Sequence, residues 1–423
     1  MQNVQDLPIQ SFVCYSGDGR VGTLTSLTLD GDWQVNLIPV VEETQLAVEK
    51  KPIYLHLDNN NGVLLLDPVT KEIRVDTHLP KDAIAAYAYR DVLGQRMWYM
   101  NDGDKETGND VLNCGDNGAS VTVVAQSENK VLATLCVGRG HHVTTFVGPS
   151  KKWPQLPKRA FVSNLVDGTI SVIANDDTDA ESFLKILHVI NLFDTAKESA
   201  AQSIVPNNAF PHGMIFSEHT GKLYNLNNGY HTIAVIDPLT NQVEETVEMS
   251  TSSNLLGNPD GRYLIGKGVD RKSDAEHVQG CLSVFDTDTK TIKNTYYFPD
   301  IYPSAYRFNP DGSKLYVTTA STGKGVQRDN IKTNLLYIFD TTQLPIMSVS
   351  HVIEVGKCDC GRRPIAFVND GSGSWFVLVP NLTEGTMTIL NGDTDEIINT
   401  LAIGAENATE FSFSFWDAHI YGA

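Results

Sequence analysis

The chain is poor in several features that would narrow its class at once. It has no apolar run of about 18 residues, so no segment reads as a membrane-spanning helix. It is short of positive charge: 32 Lys and Arg stand against 51 Asp and Glu, a formal net charge of -19. That balance argues against a nucleic-acid surface, which would need clustered cations. Cysteine is sparse, with six residues at positions 14, 114, 136, 281, 358 and 360. They lack the spacing of a disulfide framework or a zinc site, so a reduced, partly buried set is expected. No Gly-x-Ser-x-Gly, His-Glu-x-x-His or P-loop string occurs. The opening Met1-Gln-Asn-Val-Gln-Asp-Leu-Pro8 has neither the basic segment nor the apolar core of a secretory leader. The expected compartment is the cytoplasm, or the periplasm or exterior if a leader was removed.

What is present is a repeat. An apolar strand, a turn rich in Asp, Asn and Gly, a second strand, and then Gly-Thr-(apolar)-x-(apolar) recur through the chain. Copies run from Lys158 to Ala174, from Gly221 to Asp237 and from Ser374 to Leu390. Short period-2 strands repeating every roughly 40–60 residues predict an all-β fold, a β-propeller of four-stranded antiparallel blades. The second, third and fourth strands of a blade fall near 11–39, 52–77, 96–136, 159–190, 222–248, 262–297, 314–355 and 375–403. Eight blades result, within a single domain over 1–423. Seven result if the weak first strand of the second unit, Thr44-Gln-Leu-Ala-Val48, is only a linker. Turns such as Asn258-Pro-Asp-Gly261 and Asn309-Pro-Asp-Gly312 close the first hairpin of a blade. The segment Phe411–Trp416 reads as a first strand that completes the blade begun by Phe12–Tyr15. Pairing of the two chain ends would close the ring and remove exposed edges.

In such a blade the first strand lines a channel, and the residues that open it share one mouth. Counting back from the turns aligns His141-His142, Pro211-His212, Ser252-Ser253, Pro303-Ser304 and Arg363-Pro364 there. The long loops 101–110, 267–277 and 321–328 and the connection 191–210 reach the same face, whereas the insertion 148–157 lies opposite. His141, His142 and His212 are the candidate metal ligands, since imidazole suits copper, iron or zinc. Adjacent strand residues point to opposite sides, so both His141 and His142 reach one metal only through a bend. Arg271, Lys324 and Arg363 are the candidate cofactor-binding cations, apt for a carboxylate, a phosphate or a haem propionate. Asp270, Asp274, Glu276 and His277 also fit an ordinary solvated loop. Gly17-Asp-Gly19-Arg-Val-Gly22 matches a dinucleotide string, but strands flank it and it reads as a hairpin turn. Asp102, Asp104, Glu106 and Asp110 resemble a calcium loop in composition, with its glycine and terminal Glu out of register.

The runs Gly168-Thr-Ile-Ser-Val-Ile, His231-Thr-Ile-Ala-Val-Ile-Asp-Pro-Leu-Thr-Asn and Ser313-Lys-Leu-Tyr-Val-Thr-Thr resemble the YVTN family of propellers, over about 158–404. That superfamily includes the haem d1 domain of cytochrome cd1 nitrite reductase, the propeller of nitrous-oxide reductase and methylamine dehydrogenase heavy chains. Resemblance to the haem group implies an axial histidine among the three and arginines on the propionates. Resemblance to the copper group implies more histidines than this chain places at matching strand openings. The expected function is a redox-associated propeller that binds copper, iron, haem or a small anionic ligand at the channel mouth. The alternative is a non-catalytic binding or assembly subunit, with other protein subunits as partners. Lyase or hydrolase action on a sugar acid or lactone is a third reading, and whether the chain is an enzyme stays open.

Overall fold

The computed structural model describes six strands within the first 84 residues. From residue 85 it describes everything except 92–95, 103–113, 115–118, 126–129, 141, 201, 250–251, 322–324, 360–361, 370–374, 404–405, 407–410 and 416–423. The described residues form 31 strands and one short helix, Val326–Asn330. Six four-stranded antiparallel sheets follow one another along the chain. They cover residues 85–136, 144–191, 211–248, 254–299, 303–354 and 366–402 and are numbered sheets 2 to 7. Within each, spatial order equals chain order.

The sheets stack face to face because their middle strands are apolar on both sides. Strand Arg159–Asn164 shows why. Ala160 and Val162 pack with Trp98, Met100 and Val123 of sheet 2, while Phe161 between them packs with Met214, Leu223 and Ile236 of sheet 4. Alternation of side chains along a strand places successive residues on opposite faces, so a strand apolar at every position needs a cover on each. The same division repeats at each junction. Tyr224 and Leu226 meet Leu264 and Phe285, Ile265 and Val284 meet Leu315 and Phe339, and Tyr316 and Ile338 meet Phe367 and Val377. Each fully buried side chain of this size contributes about 1.5–3 kcal/mol.

A buried asparagine at the end of the second strand recurs with the repeat. Asn101 donates from Nδ2 to Ser120 Oγ at 3.1 Å and Thr122 Oγ1 at 3.0 Å. Asn164 does so to Thr169 and Ser171, both at 3.0 Å, and Asn381 to Thr386 at 2.9 Å and Thr388 at 2.8 Å. One amide thus satisfies two hydroxyls of the third strand, which explains why Asn precedes the Thr-x-Ser/Thr pattern. At the other end, Gly261 and Gly312 hold positive φ of 76° and 75° in the two Asn-Pro-Asp-Gly turns, a conformation that favours glycine. The outer strands are mostly exposed, and each pairs with its neighbour through a register shift, for example at Val172/Ile173 and Val235/Ile236. Such bulges twist an edge and discourage further pairing.

The chain ends pair as expected: Phe12–Ser16 lies antiparallel to Phe411–Phe415. The first two units differ from expectation. Instead of two separate four-stranded sheets they form one seven-stranded sheet, in which Val40 and Val41 pair in parallel with Ile73 and Arg74. The cause is length. Strand Trp33–Val41 runs beyond the last pair with its neighbour, Arg20–Pro39, and leaves two residues with an open edge. The stretch 44–48 lies outside the described residues. The cysteines also differ from the reduced set expected, because Cys114 and Cys136 form a disulfide. It ties the loop after Asn101 to the end of the fourth strand of sheet 2. Spacing along the chain did not reveal the pair because the bond joins a loop residue to the end of a strand 22 residues on.

Candidate functional site

Each described candidate, His142, His212, Arg271 and Arg363, is engaged by neighbours of its own. His142 is fully buried, with Nδ1 2.7 Å from the Ser163 carbonyl of the neighbouring strand. His212 is half-buried in the next sheet, with Nδ1 3.0 Å from the Ser253 carbonyl. His141 and Lys324 lie outside the described residues. Among the described residues no group of three or more His, Cys, Asp and Glu could hold a metal ion. Arg363 is fully buried between sheets 6 and 7. It donates to the carbonyls of Pro380 (2.9 Å), Thr319 (3.3 Å) and Thr333 (3.0 Å), to that of Gly356, and to Asn381 Oδ1 (3.0 Å). That guanidinium knits loop backbone together.

The loop around Arg271 satisfies itself. Asp270 accepts from the Lys272 and Ser273 amides at 2.8 and 3.1 Å, and Asp274 accepts from those of Glu276 and His277 at 2.7 and 3.1 Å. The Ser273 hydroxyl on Asp270 is the main reason its carboxyl sits below the usual range. Gln327 of the short helix donates to the Arg271 and Asp274 carbonyls and pins the loop. Arg271 itself turns inward, its guanidinium 5.1 Å from the centre of the Tyr302 ring.

Arg271 leads to a cluster that spacing along the chain did not show. Lys267, on the second strand of sheet 5, hydrogen-bonds the Ser304 carbonyl. Its ammonium lies 6.0 Å from the Tyr302 ring centre and 5.3 Å from that of Tyr306. Arg307 follows on the inner strand Pro303–Phe308. Arg362 reaches Tyr87 on the inner strand of sheet 2, with Nη2 3.2 Å from the hydroxyl and the guanidinium 5.4 Å from the ring. Tyr89 shares the face of Tyr87, their centres 6.2 Å apart. Tyr306 is buried, Arg362 is exposed and the other members of the cluster are half-buried.

The electrostatics follow from that crowding. Burial, then Arg307 and Arg362, push the Lys267 ammonium down to about 7. Burial lowers Arg307 from its ordinary value and raises Tyr89 and Tyr306. Desolvation disfavours each charged form, and like charges add to it for Lys267. Among the described residues no carboxylate lies within ion-pair distance of Lys267. Three of these cations, Lys267, Arg271 and Arg362, lie on tyrosine faces, and Arg307 acts on Lys267 as a further like charge. A pocket of about 300 Å³ lies elsewhere, lined by Asn309, Asp311, Trp375 and Asp393 at the opposite ends of the strands.

With that geometry in view, comparison with solved structures decides the architecture. The chain is similar to dihydro-heme d1 dehydrogenase NirN in complex with DHE. That match has a TM-score of 0.59 at 12% identity and covers 97% of this chain and 76% of that one. The fold is a β-propeller. The propeller is also similar to Kuenenia stuttgartiensis hydrazine synthase, with a TM-score of 0.53, 14% identity, and 80% and 97% of the two chains covered. The Pseudomonas aeruginosa periplasmic gluconolactonase PpgL gives 0.52 and 14%, over 86% and 98%. At such identities the likeness concerns the propeller and not its chemistry. No protein-family model matches the chain, and no curated protein does.

The cluster residues missed from the sequence are Tyr87, Tyr89, Lys267, Tyr302, Tyr306, Arg307 and Arg362. Two signals were available. Tyr302-Pro-Ser-Ala-Tyr306-Arg307 concentrates aromatic and basic groups on one inner strand, and Arg362 stands beside the residue chosen in its place.

Proposed function

We propose that this chain is a ligand-binding propeller whose central channel holds a small anionic molecule against Lys267, Arg271, Arg307 and Arg362. The observation that carries the reading is Lys267: a cation on two tyrosine faces, beside two guanidiniums, with no described carboxylate in ion-pair range. An anion entering this wall relieves the repulsion among the cations and gains charge-assisted hydrogen bonds. The tyrosine rings supply flat apolar walls, so an organic anion with a planar or apolar portion suits the site better than a bare ion.

In this reading residues 1–423 make a single domain of eight YVTN-like blades, and the paired chain ends complete the ring. Supporting that, strand Ile53–His56 lies beside both Phe411–Phe415 and Ala85–Asp91, as an inner strand between two neighbours would. The disulfide favours an exported protein, because such bonds persist in oxidising compartments. No helix among the described residues is long and apolar enough to cross a membrane.

One structurally similar protein is a dihydro-heme d1 dehydrogenase, and a tetrapyrrole is one organic anion of the proposed class. Its carboxylates suit the guanidiniums of Arg307 and Arg362. The proposed ligand is the anion itself, which the cations and the tyrosine faces match.

Calorimetric titration of purified protein with acetate, phosphate, citrate, gluconate and a porphyrin dicarboxylate tests this, with an absorption spectrum of native protein alongside. At least one organic anion is expected to bind saturably, with affinity at least tenfold lower in Arg307→Gln and Arg362→Gln. Unchanged binding in both folded variants would remove the site.

A further inference from the structure

We propose that Lys267 captures the carbonyl group of an anionic aldehyde or ketone as a covalent imine, the ligand being a 2-oxo acid. This rests on the anion-binding reading above and adds chemistry to it. A nucleophilic lysine needs an unprotonated amine, a fixed position and an electrophile delivered to it. Lys267 meets each need.

Its position is held by neighbours on both sides. The Nζ donates to the Ser304 carbonyl, and the Tyr302 and Tyr306 rings flank it at 6.0 and 5.3 Å. The donated hydrogen bond occupies one N–H and leaves the lone pair of a neutral amine clear to attack. The flanking Gly266 has no room for a side chain: an added Cβ would stand 2.3 Å from both Met249 Cε and Ser252 Oγ. The strand that carries Lys267 is therefore packed tightly against the segment before sheet 5. The neutral form is plentiful. An ordinary lysine near 10.4 is unprotonated in roughly one molecule in 2,500 at pH 7. With Lys267 near 7, about half of the molecules carry the free amine.

The neighbouring cations orient the electrophile. Arg307 and Arg362 act on Lys267 as like charges. A carboxylate placed on them would bring the adjacent carbonyl carbon of a 2-oxo acid towards the amine, and such placement replaces a bimolecular encounter. The Tyr306 hydroxyl is buried and has no hydrogen-bond partner among the described residues. It stands on the ring nearest to Nζ and offers a neutral donor for the carbonyl oxygen. The step balances without an oxidant. The nitrogen lone pair forms the N–C bond, both N–H protons pass in turn to the former carbonyl oxygen, and the C–O bond breaks as water leaves and the C=N bond forms.

Glyoxylate with sodium cyanoborohydride at pH 7, followed by intact mass measurement and peptide mapping, provides the test. One reduced adduct is expected at Lys267, formed at least about tenfold faster than at any other lysine. It should disappear in Lys267→Arg and be slowed by lactate, which is anionic but lacks the carbonyl. If glyoxylate or lactate binds reversibly in calorimetry and no adduct forms at Lys267, the imine is overturned and the anion site stands. If neither anion binds and labelling is spread evenly over the lysines, both readings fall.

Discussion

Arg362 and Tyr87 lie 275 residues apart, yet the Arg362 guanidinium donates to the Tyr87 hydroxyl at 3.2 Å and covers its ring. The contact joins the lead into sheet 7 with the inner strand of sheet 2. Because Arg362 is exposed, such a pair contributes little to stability, at most about 1 kcal/mol. Arg362→Ala is expected to leave the urea midpoint almost unchanged and to weaken anion binding by about tenfold, a difference of about 1.4 kcal/mol. Tyr87→Phe should weaken binding less. The double variant should lose less than the sum of the two, since the residues touch. A large drop in stability with intact binding would reverse the assignment.

Arg363, one residue on, should behave in the opposite way. Its guanidinium meets backbone carbonyls and one amide in a closed space. Arg363→Met leaves those oxygens without donors, at a cost of about 3–5 kcal/mol. Arg363→Lys is expected to recover little, because a point charge cannot reproduce a planar fork. Urea denaturation measures both, and a midpoint within error of wild type would contradict the strut.

The recurrent asparagine gives a third expectation. Asn164→Ala removes two buried side-chain hydrogen bonds and leaves two hydroxyls wanting, and Asn381→Ala removes the equivalent two and the one that its Oδ1 accepts from Arg363. Each should cost about 2 kcal/mol. The two sites lie in sheets 3 and 7 and share no partner, so the double variant should add the two costs. Clear non-additivity in thermal unfolding would show that these clamps are not local.

The disulfide is checked by thiol titration. Reduction of the denatured protein is expected to release at least two further thiols, since Cys114 and Cys136 are joined. Cys136→Ser should destabilise by about 3 kcal/mol, as expected for a bond closing a loop of 22 residues. Six thiols without reduction would overturn the bond, and with it the argument for export.

Lys267 sets a pH dependence. Its folded value, about 7, lies below that of an unfolded lysine. Between about 7 and 10.4 the unfolded chain therefore binds more protons, and stability from this group rises with pH across that window. Above about 10 the trend should reverse, because the raised Tyr89 and Tyr306 keep protons that the unfolded chain releases. Anion affinity runs the other way, strongest below pH 7 where Lys267 is charged. Lys267→Met should flatten the rise between 7 and 10 in a series of urea titrations. A rise that persists in that variant would place its origin elsewhere.

Much of the architecture was legible along the chain. Strands apolar at every position, such as Phe161-Val162 and Leu223-Tyr224, demand a neighbour on both faces, and that requirement dictates stacked sheets. The Asn-to-Thr spacing marks one hairpin per unit, and the terminal Phe-Ser-Phe-Ser-Phe415 run announces a strand for the first unit to pair with. The cation cluster was not legible, and the reason is local. Side chains alternate by half a turn per residue, so facing depends on an unbroken count from the turn. The inner strands break that count, with register shifts at Ala85/Tyr87, Pro211/Met214 and Pro303/Tyr306. Sequence alone therefore determined the repeating, doubly covered sheets and the pairing of the chain ends. Only the tertiary structure decided that Arg362 and not Arg363 reaches Tyr87, that Lys267 lies against Tyr302 and Tyr306, and that Cys114 meets Cys136. Each of those depends on the phase of a strand or on two distant segments arriving at one place, which no local pattern encodes.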